Sequence, residues 1–316
     1  MSALLEVRDL VKTHRVAAGT VHAVSGVSLR LDAAETLALV GESGCGKSTV
    51  GRAILQLPPP DSGRVAFDGT ELTTLSRRRM RALRPGLQMV LQDPRAALHP
   101  RRRVRGIVAE GLVNARRPKG ETAATVDAVL TAVGLDPAQV ADRRPEEFSG
   151  GQCQRIAIAR ALAVQPRLLV CDEPVASLDV SVQAQVINLL ADLRAERGLA
   201  MLFISHDLAV VRTIADRVAV MYLGRVVETG PVAEVYARPR HPYTRALLDS
   251  SPVPDPDAPP LGPALSGEVP SPLDPPSGCR FRTRCPLAEA RCAAEVPALA
   301  EVGAGHRSAC HFAADL

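Results

Sequence analysis

Three short apolar runs punctuate the first 250 residues: LALV at 37–40, LLVC at 168–171 and MLFI at 201–204. Each ends in a polar or glycine-rich turn. Each predicts a strand buried on both faces of a mostly parallel sheet. Between the second and third runs the period changes. Val182, Val186, Leu189, Leu190 and Leu193 recur at spacings of three and four. That predicts a helix over 180–197, stopped by Gly198. Strand, glycine loop, helix and strand again is the α/β pattern. After residue 250 the pattern fails. Ten of the 26 prolines lie between Pro252 and Pro276, which excludes a regular helix or a central strand there. The chain therefore divides into an α/β domain over 1–250, an extended proline-rich linker over 251–278, and an extension over 279–316. No internal repeat is visible.

Composition narrows the class. With 316 residues, 46% hydrophobic and 23% charged, the chain can build a core without disulfide staples. No apolar run approaches the roughly 18 residues of a membrane span. The start, MSALLEVRDLVK, has no basic cap before an apolar stretch, so no signal peptide is expected. The net charge is +4, and only Lys12, Lys47 and Lys119 are lysines. Residues 77–105 hold ten arginines and one acid, Asp93, leaving the rest of the chain net acidic. Aromatics are only 3% and Trp is absent, so no nucleic-acid partner is expected. The arginine run reads as a solvated basic surface. Contact with lipid headgroups is a second reading.

The chemistry starts at 41–49, GESGCGKST. It fits G-x-x-x-x-G-K-[ST], with Gly41, Gly46, Lys47 and Ser48 at the fixed positions and Ser43, Gly44, Cys45 and Thr49 completing the loop. It follows a predicted strand and precedes a helix-compatible segment. Small residues let backbone N–H groups curl around an anion, and the helix N-terminus adds positive potential. Lys47 is expected at the β- and γ-phosphates, and the Ser48 hydroxyl at Mg²⁺. Asp172 and Glu173 follow the second predicted strand. One carboxylate there can hold Mg²⁺, and the next can orient or deprotonate water. A second anion site is predicted at FSGGQCQR, where Ser149, Gly150, Gly151 and Gln152 open a helix-compatible run. Two phosphate-binding elements in one chain imply either that one folds onto the other or that two chains share each nucleotide.

With these residues in order, the chain resembles an ABC-transporter ATPase subunit. FSGGQ is similar to the family signature, with Phe148 in place of the commoner Leu. Asp172 and Glu173 match the Walker B aspartate and the catalytic glutamate. Gln92, in LQDP, matches the Q-loop glutamine, a further Mg²⁺ ligand. Leu178 and Asp179 match the D-loop, and His206, in FISHD, the switch histidine. His14 lies where the family usually places an aromatic that stacks on adenine. The implied fold is a RecA-like core with a helical signature subdomain over about 93–164, an antiparallel N-terminal β part, and here a small cysteine-rich extension. The segments LQDPRAALHPR, DEPVASLDVS, MYLGRVVETG, RHPYTRALL and the cysteine tail resemble the peptide- and nickel-importer branch.

That resemblance implies an ATP-hydrolysing translocase subunit at the cytoplasmic face of the membrane. Its partners would be a second ATPase subunit (often a paralogue), two transmembrane permeases and an extracytoplasmic binding protein. In a head-to-tail dimer, Ser149 and Gly151 of one chain complete the site built by 41–49 of the other. ATP then closes the pair and hydrolysis opens it. Peptides are the implied solute, with nickel or another small solute as the alternative. A soluble ABC ATPase of translation or DNA repair and an exporter subunit are the competing classes. Neither a second cassette nor a long coiled-coil insertion is visible.

Cys279, Cys285, Cys292 and Cys310 close the chain. No two of these tail cysteines are separated by the two residues common in zinc sites. Four thiolates suit a 4Fe–4S cluster, which members of the branch carry in this tail, and zinc is the alternative. Cys45, Cys153 and Cys171 read as small apolar fillers, and His241 as a turn residue ahead of a final helix.

Overall fold

The computed structural model describes residues 3–250 and 267–316, so much of the proline-rich stretch lies outside the described residues. The chain forms two compact units, one from 1–31, 36–73 and 204–316, the other from 32–35 and 74–203.

In the first unit, Gly19–Leu31, Leu5–Val16, Ser62–Phe67 and Thr70–Glu71 form an antiparallel sheet in that order. Val27, Leu29 and Leu31 are buried while Ser28 and Arg30 are exposed, the alternation of a sheet wet on one face. Thr36–Val40, by contrast, is buried at every residue and pairs in parallel with Arg217–Tyr222. Arg225–Pro231 adds an antiparallel strand beside Arg217–Tyr222.

Beyond it the C-terminal tail joins the same sheet. His306–Ser308 pairs with Arg225–Pro231, and Ala300–Gly303 with His306–Ser308. His306 Nε2 lies 2.7 Å from the Glu228 carboxylate, and Arg240 N–H donates to that carboxylate at 2.6 Å. Burial raises the Glu228 pKa above the usual carboxylate range. Phe281 packs against Tyr222, Tyr243 and His241. The tail thus borrows the core of the ATPase unit, as a segment too short for its own core must. His241 caps helix Pro242–Asp249 by accepting the Tyr243 N–H at 3.1 Å. Burial pushes its pKa down to about 3, so it stays neutral.

In the second unit, Leu87–Val90 runs parallel to Leu168–Asp172. Helix Gly150–Leu162 is buried along most of its length and packs against Pro94–Ala97, Val104–Val108 and Lys119–Ala132. The expected helix is present at Val180–Arg197. The Asp179 side chain accepts the Val182 N–H at 2.9 Å, and Gly198, at φ 59°, ends the helix in the left-handed conformation. Its buried face is Val186, Ile187, Leu190 and Leu193. Val182 and Leu189, expected in the core, are half-buried. Of the arginine run, Arg102, Arg103 and Arg105 pair with Glu110, Asp142 and Asp127 at the surface, and Arg77, Arg78, Arg79 and Arg81 are exposed on helix Arg77–Leu83. Among the described residues, no helix is long and apolar enough to cross a membrane.

Candidate nucleotide site

In the first unit, strand Thr36–Val40 delivers the phosphate loop and helix Lys47–Ile54 leaves it. Two glycines are dictated by sterics. Gly41 has φ 150°, and a Cβ there would lie 2.1 Å from the Met221 carbonyl oxygen. Gly46 has φ 106°, and its Cβ would lie 2.0 Å from the Ala23 oxygen. No other residue type fits either place. Ser43 and Gly44 are exposed at the crown of the loop, whereas Ser48 and Thr49 are half-buried in the first helical turn. Cys45 is buried, and burial raises its thiol pKa. It is a filler, as expected. Lys47 is 4% exposed. Its ammonium folds back on the loop, donating to Gly41 O at 2.7 Å and Glu42 O at 3.0 Å. These are donor bonds that phosphate oxygens can replace.

The same unit carries His14 and His206. His14 is exposed in strand Leu5–Val16, opposite Val21. His206 is exposed just past strand Ala200–Ser205, where Asp207 caps helix Leu208–Ile214 through the Ala209 and Val210 amides.

In the second unit, Asp172 ends strand Leu168–Asp172 with no exposed surface. Glu173 follows at φ 47°, a left-handed conformation that is costly for a non-glycine and concentrates at functional sites. Gln92 Nε2 donates to Glu173 Oε2 at 3.2 Å. The structure thus brings the Q-loop glutamine and the candidate catalytic carboxylate together across 81 residues of sequence.

The signature segment is shaped by helix capping. Ser149 Oγ accepts the Gln152 N–H at 3.3 Å, and Gln152 Oε1 accepts the Ser149 N–H at 3.0 Å, a reciprocal capping box. Ser149 and Gln152 are exposed. Gly151 is buried, with Val182 so close that a Cβ would lie 2.4 Å from its Cγ1, and a Cβ on Gly150 would touch Leu178. The signature and D-loop segments therefore adjoin, which their spacing in sequence does not reveal. Asp179 is exposed, and the Val182 amide lowers its pKa.

In the tail, burial is the main cause raising the pKa values of Cys279, Cys285 and Cys310, and the neighbouring tail thiols raise them further. The backbones of two of them meet, the Cys279 N–H donating to the Cys292 carbonyl at 2.8 Å. Yet among the described residues no three His, Cys, Asp or Glu side chains are positioned to hold one metal ion. That arrangement supports neither the 4Fe–4S cluster nor the zinc ion expected from the sequence, although four thiols are a donor set that either can take. Sequence reading missed Glu42 within the loop, Tyr243 and Arg284, which bond to it, and Phe281, which packs on Tyr243. Their only trace was the motif segments GESGCGKST, RHPYTRALL and GCRFRTRCP.

Residues 24–176 match the family described as ABC transporter, and residues 227–292 the oligopeptide/dipeptide transporter C-terminal region. A probable peptide ABC transporter ATP-binding protein of Sinorhizobium fredii is 50% identical over 99% of this chain and 90% of its own length. An oligopeptide transport ATP-binding protein of Escherichia coli is 51% identical over 94% of this chain and 92% of its own. Among solved structures, cbiO1 of Clostridium perfringens, described as part of the ABC transporter complex cbiONQ, superposes with TM-score 0.67 at 32% identity, covering 75% of this chain and 92% of that one. A dimeric ATP-binding cassette bound to ADP and phosphate superposes at 0.66 with 27% identity, covering 72% of this chain and 98% of that one. With the phosphate loop, the paired Gln92 and Glu173, and near full-length relatives at half identity, the chain belongs to the ABC transporter family of ATP-binding proteins.

Proposed function

We propose that this chain is the ATP-hydrolysing subunit of an ABC importer of di- and oligopeptides. The observation that carries the reading is the joint presence of a glycine-dictated phosphate loop and a segment, residues 227–292, matching the oligopeptide/dipeptide transporter C-terminal region. Relatives over almost the whole chain carry peptide-import names. The nickel or other small-solute variant is a change of binding protein and permease, with this chain's chemistry unchanged.

In this reading, Gly41 lets the loop turn, the amides of 43–49 and Lys47 bind the ATP phosphates, and His14 stacks on adenine. Ser48, Asp172 and Gln92 would hold Mg²⁺, which supplies charge neutralisation between the β- and γ-phosphates. Glu173 accepts a proton from the attacking water, and Gln92 fixes the orientation of its carboxylate. His206 donates to the γ-phosphate. Ser149, Gly150, Gly151 and Gln152 of a second ATPase subunit, identical or paralogous, complete the site with its Asp179. Closure of the pair on ATP drives two permease subunits fed by an extracytoplasmic binding protein. The chain sits peripherally at the cytoplasmic face, organised as an ATPase domain over 1–250, a linker over 251–278 and an extension over 279–316. Affinity purification of the tagged chain from membranes tests this. Two permease chains and a second ATPase are the expected companions; ribosomes, DNA or an efflux permease would overturn the reading.

The tail thiols Cys279, Cys285, Cys292 and Cys310 would hold a 4Fe–4S cluster with a structural role. Cys292→Ser is expected to abolish bound iron. ATP binding should survive, because Arg280, Phe281 and His306 anchor the tail without metal. Elemental analysis of anaerobically purified protein checks this, and wild-type protein without iron contradicts it.

A further inference from the structure

A phosphate-binding loop has to accept a polyanion, yet this one carries a carboxylate, Glu42. The structure shows where its charge goes. Arg284, between Cys279 and Cys285 of the tail, donates from Nη1 to Glu42 Oε2 at 2.8 Å and from Nη2 to Glu42 Oε1 at 3.0 Å. The arginine side chain is 4% exposed and the carboxylate 24%. The guanidinium faces the Tyr222 ring at 5.9 Å from its centroid. Tyr222 in turn packs on Tyr243 and Phe281, at centroid distances of 4.7 and 5.3 Å. The Tyr243 hydroxyl accepts the Glu42 N–H at 2.9 Å, and the Glu42 carbonyl accepts from Lys47 Nζ. Glu42 is thus held at its amide, its carbonyl and its carboxylate. One of the three holders is the lysine that has to reach the phosphates.

We propose that Arg284 is a positioning residue for ATP binding: it neutralises the Glu42 carboxylate and keeps it from competing with the phosphates for Lys47. The tail is then a working part of the nucleotide site. A carboxylate released inside the loop acts twice against ATP. It repels the incoming negative charge, and it offers Lys47 an alternative partner a few bonds away. A bidentate fork removes both effects and fixes the direction in which the carboxylate points. Because Arg284 is nearly buried and stacked, solvent screens the pair less than a surface ion pair. The pairing also explains why the tail needs two arginines rooted in the ATPase unit. Arg280 reaches the Leu223 carbonyl and the Ser25 hydroxyl, docking the segment, while Arg284 goes on to the loop.

This inference rests on the ATP-binding reading, and its test separates the two. A fluorescent ATP analogue is titrated, with Mg²⁺, into the full-length chain and its variants. Arg284→Gln is expected to weaken binding by about tenfold or more, because it leaves a charge without its partner. Adding Glu42→Gln to Arg284→Gln should recover most of that loss, measured against Glu42→Gln alone as the reference of the double-mutant cycle, since no charge remains to offset. A scaffolding role alone would leave the double variant as weak as Arg284→Gln. Wild-type affinity in Arg284→Gln, or no recovery in the double variant, overturns the proposal. Should Arg284→Gln fail to fold, Arg284→Lys with and without Glu42→Gln makes the same comparison. Wild-type chain that fails to bind the analogue would instead sink the ATP-binding reading.

Discussion

Glu173→Gln should leave ATP binding intact and lower hydrolysis by about a hundredfold or more, the scale of a lost general base. The change is isosteric. The glutamine oxygen can still accept the Gln92 Nε2 bond now made at 3.2 Å, and the left-handed backbone at residue 173 is asked of both residues alike. What disappears is the negative charge that attracts a water proton. Lys47, Ser48 and Asp172 are untouched, so the assembled transporter should accumulate in its ATP-bound, closed form. Phosphate release from the purified complex checks the first effect, and nucleotide retained through gel filtration checks the second. Hydrolysis near wild type would remove Glu173 from its assigned role.

Ser149→Arg should separate binding from turnover. Ser149 is exposed at the start of helix Gly150–Leu162, and its hydroxyl takes part in the local capping box. Replacing it loses a cap, worth about 1 kcal/mol, and sets a bulky cation where a partner's nucleotide would dock. The mutant's own phosphate loop keeps its glycines and Lys47. ATP binding to the isolated chain should therefore match wild type, while hydrolysis by the assembled complex falls about a hundredfold, as for a lost phosphate-binding donor. Loss of ATP binding in the isolated chain would mean that Ser149 serves its own chain's loop.

The parts of this molecule legible in sequence are those whose physics is local. The phosphate loop is nine consecutive residues whose glycines at 41, 44 and 46 take positive φ, a demand legible from residue type, although the atoms that crowd Gly41 and Gly46 belong to Met221 and Ala23. Helix Val180–Arg197 begins at the Asp179 cap and ends at Gly198, both readable from residue type. Its buried face was read less well, because the apolar period is the same whether Val182 meets the core or, as here, Gly151. The docking of the tail was not legible. Arg284 and Glu42 are 242 residues apart, and the strand His306–Ser308 is too short and too polar to announce itself by alternation. The Gln92–Glu173 contact was legible only as two separate roles. Period-two alternation at Val27, Leu29 and Leu31 could have located the antiparallel sheet from the residues alone.

If hydrolysis at this chain's site powers uptake, vesicles carrying the complete transporter should accumulate a labelled oligopeptide only with ATP on the side of this chain, and accumulation should vanish in Glu173→Gln vesicles that still bind ATP. Uptake that persists in those vesicles, or that proceeds in wild-type vesicles without ATP, would contradict it.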